Sequence, residues 1–291
     1  MILNYLKLLR VSSYVKNIAI FIPVVSTQIL DFEIFKEGIS IFIIFSFIAS
    51  SIYIFNDLCD LKSDQEHPLK KERVLASGRI SDKEAKKIML ISLIVPFLLL
   101  FLFYKSDYIF YCLLYVLLNI GYSLFLKKIF LIDIIFLTTF FVLRAQIGNA
   151  LISYHASKWL IFFLFFFFFT LAIIKRLAEI NYLGQNMIEK NRPYKFIHYN
   201  IIKLIGYISL IISIILIFYY LANVINIDVY KKKEFLFFLI PIYILWILYL
   251  FKCVKLKKIT TDPVAFAFSD IISYFFLIIV LGILFYARGL I

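Results

Sequence analysis

The chain alternates long apolar runs with short polar breaks. Nine of the runs read as helical membrane spans, at 17–30, 38–57, 84–103, 107–126, 129–150, 157–180, 199–222, 234–251 and 268–287. The first is short and contains Pro23, so it is expected to begin in the segment before it. That segment, Met1 to Lys16, has Ile2, Leu3, Leu6, Leu9 and Tyr14 as apolar positions and Lys7 and Arg10 as polar ones. It predicts an amphipathic helix lying in the membrane interface. The longest polar stretches are 58–83 and 181–198, and no repeat or linker is visible. The expected architecture is all-α: a polytopic bundle of nine transmembrane helices forming a single domain over 1–291.

Composition agrees with that pattern. The chain is 64% hydrophobic, well above the roughly half expected of a soluble domain. The net charge of +13 would suggest nucleic acid in a soluble protein. Here the basic residues sit in short loops between spans, so membrane topology and phosphate-bearing substrates account for them and no nucleic-acid partner is expected. Of the 31 Lys and Arg, 23 fall on the side shared by the N-terminus and the 58–83 loop. The positive-inside rule puts that side in the cytoplasm. Cys59, Cys112 and Cys253 are far apart and share no metal-ligand spacing. Lys7, Arg10 and Lys16 interrupt the N-terminus before any apolar core forms, so no cleavable signal peptide is expected.

The polar stretch with the most chemistry follows the second span. It reads Asn56-Asp57-Leu58-Cys59-Asp60-Leu61-Lys62-Ser63-Asp64, with His67, Lys70, Lys71 and Arg73 close behind. Asn56, Asp60 and Asp64 are four apart, so a continuous helix would align them in one stripe with Asp57 beside it. Carboxylates crowded at a membrane span's end are costly unless cations bind there. Such oxygen ligands suit Mg²⁺, whose shell is completed by substrate phosphates. Lys70, Lys71 and Arg73 then suit the rest of a polyphosphate.

A second basic cluster begins inside the sixth span at Lys175-Arg176-Leu177-Ala178-Glu179 and runs on through Glu189, Lys190, Arg192, Lys195, Tyr199 and Lys203. The plain reading of Arg176 and Glu179 is a helix-end ion pair, and the functional one is a phosphate-binding surface facing the carboxylate motif. A third cluster is Asp262-Pro263 with Asp270, where Asp262 is either a helix cap or a site residue. Arg144 lies inside a span, so it must face the bundle interior, as a substrate contact or in a helix–helix pair. Lys16 and Asn17 stand at the cytoplasmic mouth of the first span.

Asn56-Asp57-x-x-Asp60-x-x-x-Asp64, at the end of the second of nine spans, resembles the first signature of the UbiA-type prenyltransferase superfamily. Within it, the chain is most similar to the decaprenyl-phosphate phosphoribosyltransferase branch. The shared pattern takes in Arg10-x-x-x-Tyr14-Val15-Lys16-Asn17, His67-Pro68-x-Lys70-x-x-Arg73, Leu143-Arg144-Ala145-x-x-Gly148, Ser157-Lys158-Trp159, Tyr199-x-x-x-Lys203 and Asp262-Pro263 with Asp270. Val11 and Val74 stand where that branch has proline, Tyr14 where it has tryptophan, and Ile271 where it has arginine.

The resemblance implies a UbiA-like bundle with its active-site cavity on the cytoplasmic side of a bacterial inner membrane. It implies Mg²⁺-dependent transfer of 5-phosphoribose from phosphoribosyl pyrophosphate to a polyprenyl phosphate, in cell-envelope synthesis, and is compatible with a homo-oligomer. Asp57, Asp60 and Asp64 would be catalytic and, with Asn56, would hold the metal. Lys16, Asn17, Asn56, Lys70, Lys71, Arg73, Arg144, Lys175, Arg176, Glu179, Tyr199 and Lys203 would bind substrate. The second polar stretch favours this branch, because from Leu177 to Lys203 it has no aspartate and is rich in lysine and arginine. A cationic half-site suits a donor with an extra phosphate. Two other readings stay open: a UbiA-type enzyme moving an isoprenyl group from its diphosphate to an aromatic or other acceptor, and a transporter.

Overall fold

The computed structural model describes residues 2–27, 31–67, 70–152, 157–183, 193–224, 230–260 and 262–290. Every regular element among them is a helix. Eight are long and apolar enough to cross a membrane, and a bent pair at the N-terminus makes a ninth if counted as one span.

The chain divides into two compact units. Among the described residues, the first takes in 2–136, 143–152 and 193, and the second 137–142, 157–183 and 194–290.

The first unit opens with α1 (Ile2–Leu8). The expected interfacial helix over Met1 to Lys16 is therefore shorter than its apolar pattern suggested. Arg10 enters the left-handed region at φ 51°, ψ 47°, and the chain continues as a 3₁₀ segment, Val11–Phe21, and α2 (Ile22–Thr27). The bend there is 45°. Residues 28–30 of the expected first span lie outside the described residues.

Next comes α3 (Phe32–Cys59), which begins well before the expected start of its span. The Asp31 carboxylate accepts from the Glu33 and Ile34 amides and caps it. This helix is the buried centre of the unit: Ile41, Phe45, Ile48, Ala49 and Ile54 are all within its core. It packs against α5 (Asp82–Phe103), α6 (Ser106–Leu124) and the 3₁₀ segment. Between α3 and α5 lie the short α4 (Leu61–Glu66) and a 3₁₀ turn, Lys70–Glu72. Leu8, Ile54, Val74, Leu75, Ile80 and Ala85 form one apolar cluster. It docks α1 and the 70–80 loop against the end of α3, and Tyr5 donates to Glu84 at the edge. α7 (Ile132–Asn149) contributes residues to both units.

The second unit is built on α8 (Lys158–Leu183) and α9 (Tyr199–Asn223), its most extensively packed pair. Small polar residues let these helices meet without stranded hydroxyls: Thr170 Oγ1 bonds Ser209 Oγ at 3.0 Å, and Ser209 donates to the Phe166 carbonyl. α10 (Leu239–Lys255) joins through Tyr243 and Ser213 at 2.7 Å. α11 (Pro263–Ala267) and α12 (Ile271–Arg288) close the chain, capped by Asp262 and Asp270 respectively. Large apolar side chains on α12, such as Phe275 and Ile278, are exposed, as a lipid-facing helix requires.

Candidate functional site

The expected stripe over residues 56–64 does not form, because the helix does not run through it. α3 ends at Cys59, and Asp60 leaves helical geometry at φ −96°, ψ 2° before α4 begins. The break separates the three carboxylates into two settings. Asp57 and Asp64 are buried and meet at one guanidinium. Arg73 Nη1 donates to Asp57 Oδ1 at 3.0 Å and to Asp64 Oδ2 at 2.6 Å. Asp60 is paired with Lys127 Nζ at 2.5 Å. Lys127 is itself buried, at 2% exposure. Such burial is tolerated only because each charge has a close partner. Among the described residues, no three His, Cys, Asp or Glu side chains converge as a metal-ligand set.

Asp57 has a second cation. Arg10 donates to the same Oδ1 and lies over the Tyr53 ring at 5.2 Å. A left-handed arginine costs about 1–2 kcal/mol, which the ion pair and ring contact offset. A cavity of about 290 Å³ opens beside these groups, with Lys7, Arg10, Asp57, Glu72 and Arg73 as its polar lining.

The test for a divalent ion is whether a cation belongs between Asp57 and Asp64. One nitrogen already lies within hydrogen-bond distance of both. Burial pushes the Asp64 carboxyl above its usual range, and Arg73 only partly opposes that. Two buried carboxylates thus face one shared point, a donor set that suits a Mg²⁺ whose shell substrate phosphates would complete. Asp57 and Asp64 fit the ion on these grounds. Asn56 is half-buried on the last turn of α3.

The other first-unit candidates divide. Lys70 is half-buried and Lys71 exposed on the 3₁₀ turn beside Arg73. Lys16 is half-buried on the N-terminal segment, while Asn17 is buried. Arg144 does face the interior, as its position in a span required: Nε donates to Asn17 Oδ1 at 2.9 Å and Nη2 to the Tyr115 hydroxyl at 3.1 Å. Its guanidinium lies over the Phe45 and Tyr115 rings.

The second-unit candidates form a separate group. Arg176 is 1% exposed and pairs with Glu179 one turn on. Its guanidinium also lies over the Tyr194 ring at 5.8 Å. Lys175 is 3.9 Å from Asp262, whose other oxygen accepts from the Val264 and Ala265 amides. Asp262 is therefore a helix cap and an ion-pair partner at once. Tyr249 donates to Asp270 at 2.9 Å. Lys203 reaches the Tyr207 ring at 5.7 Å, and Tyr199 stacks with Phe196. Glu189, Lys190 and Arg192 lie outside the described residues.

Two residues at the carboxylates were absent from the expected site. Arg10 had a signal, since it opens the N-terminal part of the family-like pattern. Lys127 had none beyond its place in a short basic loop, and its partner is 67 positions away.

Comparison with known proteins adds three findings. The protein y4nM of Sinorhizobium fredii, whose name carries no function, is 28% identical over 279 residues. A decaprenyl-phosphate phosphoribosyltransferase of Corynebacterium glutamicum is 29% identical over 180 residues. The matches cover 94% and 60% of this chain, and 53% and 54% of those relatives, so the chain spans about half the length of the curated relatives it matches. Among solved structures, a UbiA homolog from Archaeoglobus fulgidus bound to GPP and Mg²⁺ superposes with a TM-score of 0.72 at 17% identity. That match covers 97% of this chain and 99% of the other. Residues 35–280, most of the chain, match the UbiA prenyltransferase family. The solved homolog shares the fold, and on the family match the chain belongs to the UbiA prenyltransferase family.

Proposed function

We propose that the protein catalyses Mg²⁺-dependent transfer of 5-phosphoribose from phosphoribosyl pyrophosphate to a polyprenyl phosphate. The observation that carries this reading is the single Arg73 nitrogen shared by two buried carboxylates, Asp57 and Asp64, with Arg10 on the same oxygen. That arrangement suits a metal–diphosphate group, and the names of several relatives, decaprenyl-phosphate phosphoribosyltransferases, support the phosphoribosyl donor. The basic loops next to the motif support a cytoplasmic site in a bacterial inner membrane.

In the reaction, the bond from the anomeric carbon to pyrophosphate breaks, and a bond to an oxygen of the lipid phosphate forms. Asp57 and Asp64 would hold the metal, with Asn56 and Asp60 as the further oxygen donors of the motif. When bound, Mg²⁺ stabilises the departing pyrophosphate. Arg10, Arg73, Lys70, Lys71 and Lys127 take the phosphate oxygens, the arginines exchanging carboxylate for phosphate. In the second unit, Lys175, Tyr199 and Lys203 are proposed phosphate contacts, with Arg176 held by Glu179 as a fixed charge. A lipid phosphate is ionised near neutral pH, so no strong general base is required. Much of the rate then comes from holding nucleophile and anomeric carbon in line.

The test is direct. Purified protein is incubated with ribose-labelled phosphoribosyl pyrophosphate, polyprenyl phosphate and Mg²⁺. The expected product is a labelled lipid, with one pyrophosphate released per lipid formed. Absence of labelled lipid, with transfer of an isoprenyl group from its diphosphate to an aromatic acceptor instead, would overturn the reading.

A further inference from the structure

Ser46, Ser50, Tyr53 and Asp57 are spaced four, three and four apart on α3, so they share one face. Each meets the N-terminal segment. Asn17 Nδ2 donates to Ser46 Oγ at 2.9 Å. Tyr14 hydroxyl bonds Ser50 Oγ at 2.9 Å, and Ser50 donates to the Leu9 carbonyl at 2.7 Å. Arg10 takes the last two positions, stacking over Tyr53 and pairing with Asp57.

α7 grips the same segment with residues one turn apart. Arg144 Nε donates to Asn17, the residue that also bonds Ser46. Gly148 lies against the backbone of Ile20 so closely that a Cβ there would be 1.7 Å from the Ile20 carbonyl oxygen. Asn17 is thus fixed from both helices, its nitrogen by α3 and its oxygen by α7. The 3₁₀ segment is held at Asn17 and Ile20, and its left-handed start places Arg10 on the signature carboxylate.

We infer that Arg144 is a positioning residue: through Asn17 it sets the 3₁₀ segment so that Arg10 is held against Asp57. This rests on the reading of Asp57 as a metal-binding carboxylate given above. It separates Arg144 from the groups that touch substrate. Lysine is a poor replacement, because its compact ammonium lacks the planar fork that reaches Asn17 and Tyr115 from separate nitrogens while lying over two aromatic rings.

The experiment uses the full chain in lipid nanodiscs. Amide hydrogen exchange of residues 11–21 is compared in wild type, Arg144→Lys, Asn17→Ala and Asn17→Asp. Loss of the Arg144–Asn17 bond should speed exchange there about tenfold. Asn17→Asp keeps the acceptor for Arg144 but loses the donor to Ser46, so its exchange should be slower than that of Asn17→Ala and closer to the wild-type rate. Transfer activity should fall about ten- to a hundredfold in Arg144→Lys and Asn17→Ala, a size typical of a misplaced catalytic group. In an Arg10→Ala background, Arg144→Lys should change activity less than about twofold, because the two residues act in one chain of contacts. Equal losses in both backgrounds would make Arg144 a substrate contact and overturn the inference, as would unchanged exchange. If Arg144→Lys does not fold, the Asn17 pair carries the same comparison. The exchange readout needs no substrate, so it stands or falls separately from the proposed reaction.

Discussion

Asp57 and Asp64 in the first unit and Arg176 in the second are buried and ion-paired, and Asp60 is half-buried and ion-paired, yet the two units pair their charges in opposite ways. Asp57, Asp60 and Asp64 draw cations from other elements: Arg10 and Lys127 lie 47 and 67 positions away, and Arg73 lies in the loop after α4, 9 positions from Asp64. Arg176 finds Glu179 on its own helix, three residues on. A local pair is fixed as soon as the helix forms. A long-range pair survives only if the tertiary structure delivers it, and it can be exchanged for another cation or anion without unwinding a helix. The first arrangement suits a site that must release its cations to a ligand. The second suits a fixed charge, and its burial makes it costly to disturb.

Four substitutions sharpen this contrast. The largest effect is expected from Asp57→Asn, which should lower the transfer rate on the order of 10²–10³-fold. The protein should keep its fold, measured by detergent-stable size-exclusion profile. A loss below tenfold would remove Asp57 from the chemistry. Glu179→Gln should behave in reverse: it withdraws an anion from a buried guanidinium and should cost about 3 kcal/mol of stability. Thermal unfolding of the purified protein measures this, and an unchanged midpoint would mean that Glu179 does not offset the Arg176 charge. Lys127→Gln comes next, with about 2 kcal/mol expected from the lost charged hydrogen bond to Asp60. The weakest should be Lys36→Ala. Its pair with Glu33 is exposed, 68% and 75% at the side chains. Its loss should shift stability by less than about 0.5 kcal/mol. A larger shift would mean that exposed pairs matter as much as the buried ones, and the contrast would fail.

The apolar pattern made most of the fold legible. The long runs did become helices, and the segments between them carry the polar clusters. Membrane spans announce themselves because a backbone in lipid must satisfy its own hydrogen bonds, which leaves few alternatives. What could not be read were departures from regular helix. The left-handed Arg10 and the break at Asp60 each sit in sequence that continues a helical pattern. Both residues meet partners elsewhere in the chain, Arg10 at Asp57 and Asp60 at Lys127. The candidate site was legible to the same degree. Asp57, Asp64 and Arg73 stood out as residues of the polar stretch, but the spacing that aligned Asn56, Asp60 and Asp64 did not survive the helix break, whereas the Arg176–Glu179 pair followed from its i, i+3 register. Lys127 was not, because nothing local marks a lysine that tertiary structure will bury. Arg144 could be assigned to the interior from cost alone, but its partners could not.

The central claim is that Asp57 and Asp64 together hold a divalent cation where Arg73 now bridges them. Titration of the purified protein with Mn²⁺ in the presence of pyrophosphate, followed by electron paramagnetic resonance, tests it without any assumption about the acceptor. The account predicts saturable binding in wild type that weakens at least about tenfold in Asp64→Asn, one lost charged ligand being worth that much. Equal Mn²⁺ affinity in the two proteins would contradict it.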